Sequence, residues 1–275
     1  MASHRILPGY RLSLSFALTY LCLLVLIPLI ALFTKASSLT PQQFIAAAWT
    51  ERARAAYYIT FGSSFAAATV DTVLGLMIAW VLVRYDFPFK RLFDSLVDLP
   101  FALPTAVAGL VYSSLYVPNG WIGQFLVPWG IKLAYSQWAI ILVLTFIGLP
   151  FVVRTVQPVL ESLDADVEEA AACLGASRWQ TFSRVLLPSL FPALTTGFAL
   201  TFARAIGEYG SVVFVSTNIP GETEIAPFLI IQKLEAFKYA EATAVAIVLL
   251  IASFAMLIVI NTLERRTQAA NSAAN

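Results

Sequence analysis

The sequence predicts an all-α membrane protein with six transmembrane helices. Of its 275 residues, 59% are hydrophobic and only 12% are charged, whereas soluble domains carry about 25% charged residues. The apolar residues come in blocks that are long enough to cross a bilayer, for which a helix needs about 20 residues. Strands of a membrane barrel would be about half that length and would alternate in polarity, so we expect helices.

The first apolar run imitates a signal peptide, because it follows Arg5 and Arg11. However, it is longer than the apolar core of a signal peptide, which has about 7–15 residues, and no small-x-small cleavage site follows it. We therefore expect a retained span. No linker or internal repeat divides the chain, so we expect residues 1–275 to form one domain. The predicted spans are approximately 12–33, 59–83, 92–116, 138–159, 189–216 and 242–263.

The lysines and arginines between the spans indicate an orientation. With the N-terminus inside, ten of them fall on the inner side and six on the outer side. Three of the ten lie in the short loop "RYDFPFKR", and short loops weigh most in setting orientation. We expect a multi-pass protein with both termini in the cytoplasm. Residues 161–188, which we call the 161–188 segment, would then be cytoplasmic too.

The sequence lacks the signatures of several kinds of site. No G-x-x-x-x-G-K-[ST] phosphate loop and no G-x-S-x-G elbow occurs in it. The single histidine, His4, has no cluster of Cys or carboxylate residues beside it, so we expect no metal site. Cys22 and Cys173 do not suggest a disulfide framework, and a net charge of +1 does not suggest nucleic-acid binding. We expect no catalytic residues.

The 161–188 segment carries the signals of a helix–turn–helix. Ser162 and Asp164 are N-cap types, and Glu169 follows them near the helix start, where the helix dipole favours an anion. Gly175 suits a left-handed position at the helix end. Ser177–Gln180 then matches the S/T-x-x-E/Q capping box of a second helix. Pro188 suits the first turn of the following span.

Two other interpretations of the 161–188 segment are weaker. A solvated loop rarely carries two caps, a tryptophan and a face of three alanines, Ala170–Ala172. A DNA-binding helix–turn–helix needs a basic recognition face, and only Arg178 and Arg184 are available here. The alanine face instead predicts close approach by another protein.

The same segment resembles the EAA loop of permease subunits in bacterial ATP-binding-cassette importers. Only the valine at 185, in place of isoleucine, departs from the usual motif. The resemblance implies the type I importer permease fold, and a coupling helix that docks on a separate ATPase subunit. ATP and Mg would be bound by that partner, and this chain would bind no cofactor. The matching residues are Glu169, Ala170, Ala171, Gly175, Val185, Leu187 and Pro188.

Four further stretches are similar to the sulfate/molybdate branch of these permeases, and "TEIAP" after "NIPG" is most similar to T-type subunits of sulfate/thiosulfate importers. The resemblance implies half of a translocation path in the bacterial inner membrane. Its partners would be a W-type permease subunit, two ATP-binding subunits and an extracytoplasmic sulfate-binding protein. The stretches are "LPFALPTAVAG" (99–109), "GLPFVVR" (148–154), "RAIGEYG" (204–210) and "NIPGETEIAPFLI" (218–230).

Two alternatives remain open. The same architecture would serve for molybdate or tungstate, since these oxyanions are carried within the same branch. A self-sufficient secondary anion transporter also has broken helices and charges within its spans, although a coupling loop would have no purpose there. Co-purification of an ATPase would separate the second alternative from an importer.

Polar residues within the spans predict the transport path, because intramembrane charges are costly and usually functional. Asp71 falls midway along the second span, and Pro100 and Pro104 break the third. The second break would expose backbone N–H groups near Thr105 to an anion; a plain kink is the alternative. We expect Asp98 to have a capping or loop role, because its charge would repel sulfate.

Arg204 and Glu208 lie four residues apart in the fifth predicted span and would share one helix face. An unpaired arginine at this depth costs about 2.5–3.5 kcal/mol on insertion scales, so Arg204 requires a partner or water. One interpretation is a structural pair of Arg204 with Glu208, or with Asp71. The other is that the guanidinium offers its donors to an oxyanion during transport.

Overall fold

The computed structural model describes residues 9–274, although not the side chains of Ala165 and residues 263–274. His4 and Arg5 lie outside the described residues. Within the described part, every regular element is a helix. The helices are α1 (Tyr10–Ala36), α2 (Pro41–Ala48), α3 (Glu51–Arg84), α4 (Lys90–Val97), α5 (Leu99–Ala102), α6 (Thr105–Tyr116), α7 (Gly123–Leu126) with a 3-10 turn (Val127–Trp129), α8 (Gln137–Ser162), α9 (Ala165–Cys173), α10 (Arg178–Ile206), α11 (Val212–Val215), α12 (Ala226–Glu235) and α13 (Tyr239–Ala274).

Five helices within residues 9–274 are long and apolar enough to cross a membrane: α1, α3, α8, α10 and α13. They correspond to the first, second, fourth, fifth and sixth predicted spans. Helix α3 begins at Glu51, earlier than the predicted start near residue 59. The reason is an N-cap at Thr50, whose hydroxyl accepts a hydrogen bond from the N–H of Ala53 at 3.0 Å.

The third predicted span is divided into three pieces, α4, α5 and α6. Leu103, between α5 and α6, has extended backbone angles because the ring of Pro104 disfavours the helical conformation in the residue before it. The predicted break at Pro104 is therefore present, and it leaves Thr105 as the first residue of α6. The predicted span from 92 to 116 is therefore a broken one. Its first piece, α4, begins earlier than predicted, at Lys90, and none of the three pieces is long enough to cross a membrane alone.

Helix α10 continues without interruption through the predicted start of the fifth span at residue 189. A separate short helix before that span, expected from the capping box, is therefore not formed. Instead, Phe182–Leu186 form a π turn in which the N–H of Leu187 donates to the carbonyl five residues earlier. The wider turn precedes Pro188, which has no N–H and whose ring would crowd the carbonyl of Arg184 in a regular helix.

The far end of α10 lies well before the predicted end of the fifth span at residue 216. The helix stops at Ile206, and residues 207–211 form a break before the single turn of α11. Glycines at 207 and 210 favour this break, because glycine in a helix interior costs about 1 kcal/mol relative to alanine. The apolar run continues through the break, although the helix does not.

The centre of the bundle is formed by α3, α8 and α10, and glycines stand where they cross. A Cβ on Gly148 of α8 would lie within 3.0 Å of both Asp71 of α3 and Thr201 of α10. A Cβ on Gly75 of α3 would lie within 3.0 Å of Val152. Small residues allow helices to approach closely in a membrane, and these glycines explain how three long helices pack directly on one another.

Candidate transport site and the 161–188 segment

The break after α10 is built around the carboxylate of Glu208. One of its oxygens forms an ion pair with Nη1 of Arg204 at 2.6 Å. The other accepts hydrogen bonds from the backbone N–H of Ser211 at 2.9 Å and from its hydroxyl at 3.0 Å. The predicted Arg204–Glu208 pair is thus present, but Glu208 lies beyond the helix end rather than on a shared helix face. Its side chain is buried, whereas that of Arg204 remains 36% exposed.

The start of α6 packs against this break. A Cβ on Gly210 would lie within 3.0 Å of Thr105 Oγ1, and it would be 3.6 Å from the Glu208 carboxylate. One turn further along α6, a Cβ on Gly109 would lie within 3.0 Å of the carbonyl oxygen of Ser211. The structure therefore brings Thr105 and Glu208 together, and Arg204 joins them through its ion pair.

Asp71 is not part of this group. Its side chain is fully buried, and it packs on Gly148 of α8 beside Thr201 of α10. Neither of its carboxylate oxygens has a hydrogen-bond partner among the described residues. The alternative pairing of Arg204 with Asp71 is therefore wrong, and Asp71 lies in the helix core rather than beside the broken end of α10.

Asp98 is part of an ionic cluster instead of a cap. Its two carboxylate oxygens accept hydrogen bonds from Nε and Nη2 of Arg154 at 2.8 and 2.7 Å. The same guanidinium donates to the carboxylate and the carbonyl of Asp94 at 2.6 and 2.8 Å, and to Gln157 at 2.6 Å. Asp98 makes no capping hydrogen bond with its side chain at the start of α5. Arg154 thus fixes the joint between α4 and α5 on α8.

A second ionic cluster holds the loop between α11 and α12. The carboxylate of Glu224, which is fully buried, accepts hydrogen bonds from Nε and Nη2 of Arg52 at 2.8 and 2.5 Å. The hydroxyl of Thr60 accepts a further bond from the N–H of Ala226 at 2.8 Å. The "TEIAP" stretch is therefore anchored on the first turns of α3, a contact that the sequence did not predict.

The 161–188 segment contains the turn and the capping box expected from its sequence. Gly175 has φ of +80°, which is the left-handed conformation that glycine adopts without strain. Ser177 accepts from the N–H of Gln180, and the side chain of Gln180 accepts from the N–H of Ser177 at 2.8 Å. Both local predictions are confirmed.

Two finer expectations for this segment are wrong, and a third holds in position only. Ser162 is the last residue of α8 rather than an N-cap. Asp164 stands at the N-cap of α9 as expected, although its side chain makes no capping hydrogen bond. The three alanines do not form one face, since Ala171 is buried while Ala170 and Ala172 are exposed. Successive residues of an α-helix point about 100° apart, so three in a row cannot share a face.

The residues that match the EAA pattern lie on α9, in the turn after it and in the first turns of α10. Glu169 is exposed on α9, and Val185 is half-buried in the π turn of α10. Leu187 is half-buried and Pro188 is exposed at the start of the regular part of α10. The most exposed large apolar side chains of the segment are Leu174, at 89%, and Trp179, at 72%.

Among the described residues, no cluster of three or more His, Cys, Asp or Glu side chains is placed to hold a metal ion.

The chain matches the family described as "Binding-protein-dependent transport system inner membrane component" over residues 71–269. It belongs to this family. The matched range includes the broken third span, the 161–188 segment and the Arg204–Glu208 pair.

Relatives within the family cover nearly the whole chain. The sulfate transport system permease protein CysT of Synechococcus elongatus is 52% identical over 256 residues, which are 92% of each chain. The protein of the same name from Escherichia coli is 46% identical over 266 residues, which are 97% of this chain and 96% of that protein. A probable sulfate transport system permease protein of Nephroselmis olivacea is 48% identical, with 92% and 89% covered.

Solved structures show the same fold at low sequence identity. A chain of the bacterial alginate ABC transporter, solved in complex with an alginate pentasaccharide-bound periplasmic protein, has a TM-score of 0.76 at 20% identity. The match covers 94% of this chain and 95% of that chain. A chain of the inward-facing MetNI methionine ABC transporter has a TM-score of 0.57 at 18% identity and covers 76% of this chain. The all-helical fold is therefore that of ABC importer permeases, and the protein is a membrane-spanning permease of an inner-membrane transport system.

Proposed function

We propose that this chain is a permease subunit of an ATP-binding-cassette importer and forms half of the translocation path for sulfate and thiosulfate. The observation that carries the proposal is the identity of 46–52% with two proteins named sulfate transport system permease, over 92–97% of the chain. The "NIPGETEIAP" stretch, which in the sequence resembles sulfate permeases, is anchored on Arg52 through Glu224.

The partners follow from the family and from the 161–188 segment. In this proposal the segment lies in the cytoplasm, as do both termini, and it docks on one of two ATP-binding subunits. Exposed Leu174 and Trp179 support a docking role, because large apolar side chains at a solvent-facing turn favour a protein contact. ATP and Mg bind to those subunits, and this chain binds no cofactor and catalyses no reaction. A W-type permease subunit and an extracytoplasmic sulfate-binding protein complete the assembly.

The substrate path in this proposal passes the group formed by Thr105, Arg204 and Glu208. The ion pair with Glu208 is made through Nη1 of Arg204, and a guanidinium has five N–H donors in a planar fork that matches oxyanions. The first N–H groups of α6 have no partner within that helix, and the positive end of the helix dipole favours an anion. Arg204 supplies charge, and the start of α6 supplies directed donors.

The test is uptake of radiolabelled sulfate into cells that lack the gene, with and without the plasmid-borne chain and its partner subunits. We expect uptake that requires ATP and is inhibited by thiosulfate. Inhibition by molybdate or tungstate but not thiosulfate would instead assign the chain to those oxyanions. Uptake by the chain alone, without an ATPase that co-purifies with it, would show a secondary transporter and reject the proposal.

A further inference from the structure

Helix α9 of the 161–188 segment is linked to the membrane helices by one charge pair. Arg84, the last residue of α3, places Nη2 at 2.6 Å from Oε1 of Glu168 on α9. Counting only residues that the structure describes, this is the single ion pair between α9 and a helix of the bundle. The side chains are 21% and 32% exposed, so water screens the pair only in part.

The contact is ionic rather than a directed hydrogen bond. Although the two atoms are close, neither Nη2 of Arg84 nor Oε1 of Glu168 has a hydrogen-bond partner with acceptable geometry among the described residues. Arg154 differs in this respect, because its guanidinium donates five directed hydrogen bonds to its neighbours. An ionic contact without fixed direction keeps its attraction when one partner pivots, whereas a bidentate pair fixes the orientation of both groups.

Arg84 also contacts the aromatic residues that join α3 to α10. Its guanidinium carbon lies 5.9 Å from the centre of the Trp80 ring, within the distance of a cation–π interaction. Trp80 meets Phe182 edge to face, with ring centres 5.6 Å apart. Phe182 is the first residue of the π turn in α10. One guanidinium therefore connects α9 with both α3 and α10.

Little else supports α9 on this side. An open groove of about 510 Å³ lies between it and the ends of α3 and α10, and Ala172, Thr181 and Leu186 are among its lining residues. Within α9 only Ala171 has its described side chain buried. Because the space behind the helix is not filled by packed side chains, its position relative to α3 depends on the pair of Arg84 with Glu168.

We propose that Arg84 is a positioning residue that couples α9 to α3 through Glu168. When the ATPase moves α9, the ion pair transmits that movement to α3, and the Trp80–Phe182 contact transmits it to α10. Both are central helices, and α10 carries Arg204. This proposal rests on the proposed function, because it requires that an ATPase acts on α9.

The test uses the assembled importer in proteoliposomes and measures sulfate taken up per ATP hydrolysed. We expect Arg84→Gln and Glu168→Gln each to lower this ratio about five-fold, the effect of one partly exposed ion pair. The exchange Arg84→Glu/Glu168→Arg should restore it in part, since the pair is formed again with opposite polarity while the contact of the guanidinium with the Trp80 ring is lost. The matched control is Lys90→Gln, which removes a neighbouring exposed pair with Asp86 and should leave the ratio unchanged.

Co-purification of the ATPase with each variant is measured beside the ratio. A normal amount of ATPase with a lowered ratio supports a coupling role, because a loss of docking would lower both. An unchanged ratio in both single variants, or failure of the exchange to restore it, would overturn the role of Arg84. If the unchanged protein itself binds no ATPase, the proposed function fails, and with it the coupling role.

Discussion

One carboxylate oxygen of Glu208 accepts two hydrogen bonds from Ser211, at 2.9 Å from the backbone nitrogen and 3.0 Å from the hydroxyl. Glu208 is therefore held in place by the break after α10 and does not depend on Arg204 for its position. Its second oxygen pairs with Arg204. This arrangement holds the carboxylate that pairs with the guanidinium, and it determines how the role of Arg204 is best tested.

Substitution Arg204→Lys keeps the positive charge and removes the fork of donors. If Arg204 contacts the transported oxyanion, we expect sulfate uptake to fall at least about ten-fold, because a hydrogen bond to a charged group contributes about 1.5–3 kcal/mol. The measurement is the initial rate of uptake at equal amounts of protein in the membrane. Normal uptake by the Arg204→Lys variant would contradict a contact between the guanidinium and the substrate.

The control for this prediction is Glu208→Gln. The amide oxygen can still accept from Ser211, while the ion pair with Arg204 is lost. We expect this variant to insert normally, so that any change in uptake reports the charge pair. An exchange of the two residues is less informative, because an arginine at 208 cannot accept the hydrogen bonds of Ser211 and would leave a buried N–H without a partner.

The contact between α6 and the break predicts different costs for two glycines. Gly109→Ala would place a methyl group against backbone atoms of Ser211, and Gly210→Ala would place one against the Thr105 side chain. Both variants should lose about 1–3 kcal/mol of stability through overpacking, and Gly109→Ala should lose more, because backbone atoms cannot turn away. Thermal unfolding in detergent measures the difference.

Two further variants make this comparison specific. Gly207→Ala is the matched control, because a Cβ there meets nothing within 4 Å, and we expect it to unfold near the temperature of the unchanged protein. Thr105→Ala combined with Gly210→Ala removes the obstructing hydroxyl, so stability should return in part. Equal stability of all three glycine variants would show that α6 does not pack on the break.

Local signals in the sequence were sufficient for part of the fold. Length and hydropathy located five of the six spans, and the turn at Gly175 and the box at Ser177–Gln180 are confirmed because each depends on neighbouring residues alone. The ends of helices were predicted less well. Helix α10 ends at Ile206 although the apolar residues continue, since hydropathy reports the solvent that a segment meets and not its hydrogen bonding.

Contacts between residues that are far apart in the sequence could not be predicted from it. Arg154 binds Asp98 and Asp94, which are 56 and 60 positions away, and no spacing rule connects them. Asp71 was placed on the transport path because charges within spans are usually functional. Its position beside Gly148 depends on how α3 and α8 cross, which becomes visible only in three dimensions.

The turn at Gly175 allows a prediction about the ATPase contact. A Cβ at this position meets nothing within 4 Å, so substitution costs only the backbone strain of a positive φ, roughly 1–2 kcal/mol. We expect Gly175→Val to disturb the turn, and to lower both ATPase co-purification and sulfate uptake. Gly175→Asn should retain both, because asparagine adopts this conformation more readily. Full activity of the valine variant would show that the turn does not position the docking surface.

Orientation is tested by labelling single cysteines from outside intact cells with an impermeant maleimide. The starting variant is Cys22→Ser with Cys173→Ser. New cysteines at the exposed positions Ser37, Asn119 and Glu222 should react. A variant that keeps only the native Cys173, which is exposed on α9, should react only after the membrane is permeabilised.

Residue choice matters in this experiment. Thr223 lies in the same loop as Glu222 but is buried, so a cysteine there would fail to react for reasons unrelated to the membrane. Labelling of Cys173 in intact cells would reverse the orientation and remove α9 from the side where ATP is available.

The buried carboxyl of Asp71 supports a last prediction, about packing at the centre of the bundle. Because neither oxygen has a hydrogen-bond partner among the described residues, Asp71→Asn removes no hydrogen bond and preserves the shape of the side chain. We expect the Asp71→Asn variant to be at least as stable to heat as the unchanged protein. Gly148→Ala, in contrast, places a methyl group against Asp71 and Thr201 and should lose about 1–3 kcal/mol.

Gly62→Ala on α3 is the matched control for Gly148→Ala, because a Cβ there meets nothing within 4 Å. Thermal unfolding of the three variants in the same detergent gives the comparison. If Asp71→Asn were less stable than Gly148→Ala, the carboxyl would have a partner that stabilises it, and Asp71 would again be a candidate for the transport path. If Gly148→Ala matched Gly62→Ala, the close crossing of α3, α8 and α10 would be wrong. With Asp71→Asn stable and Gly148→Ala destabilised, Asp71 is a packing residue of the helix core, held between α8 and α10 by the close approach at Gly148.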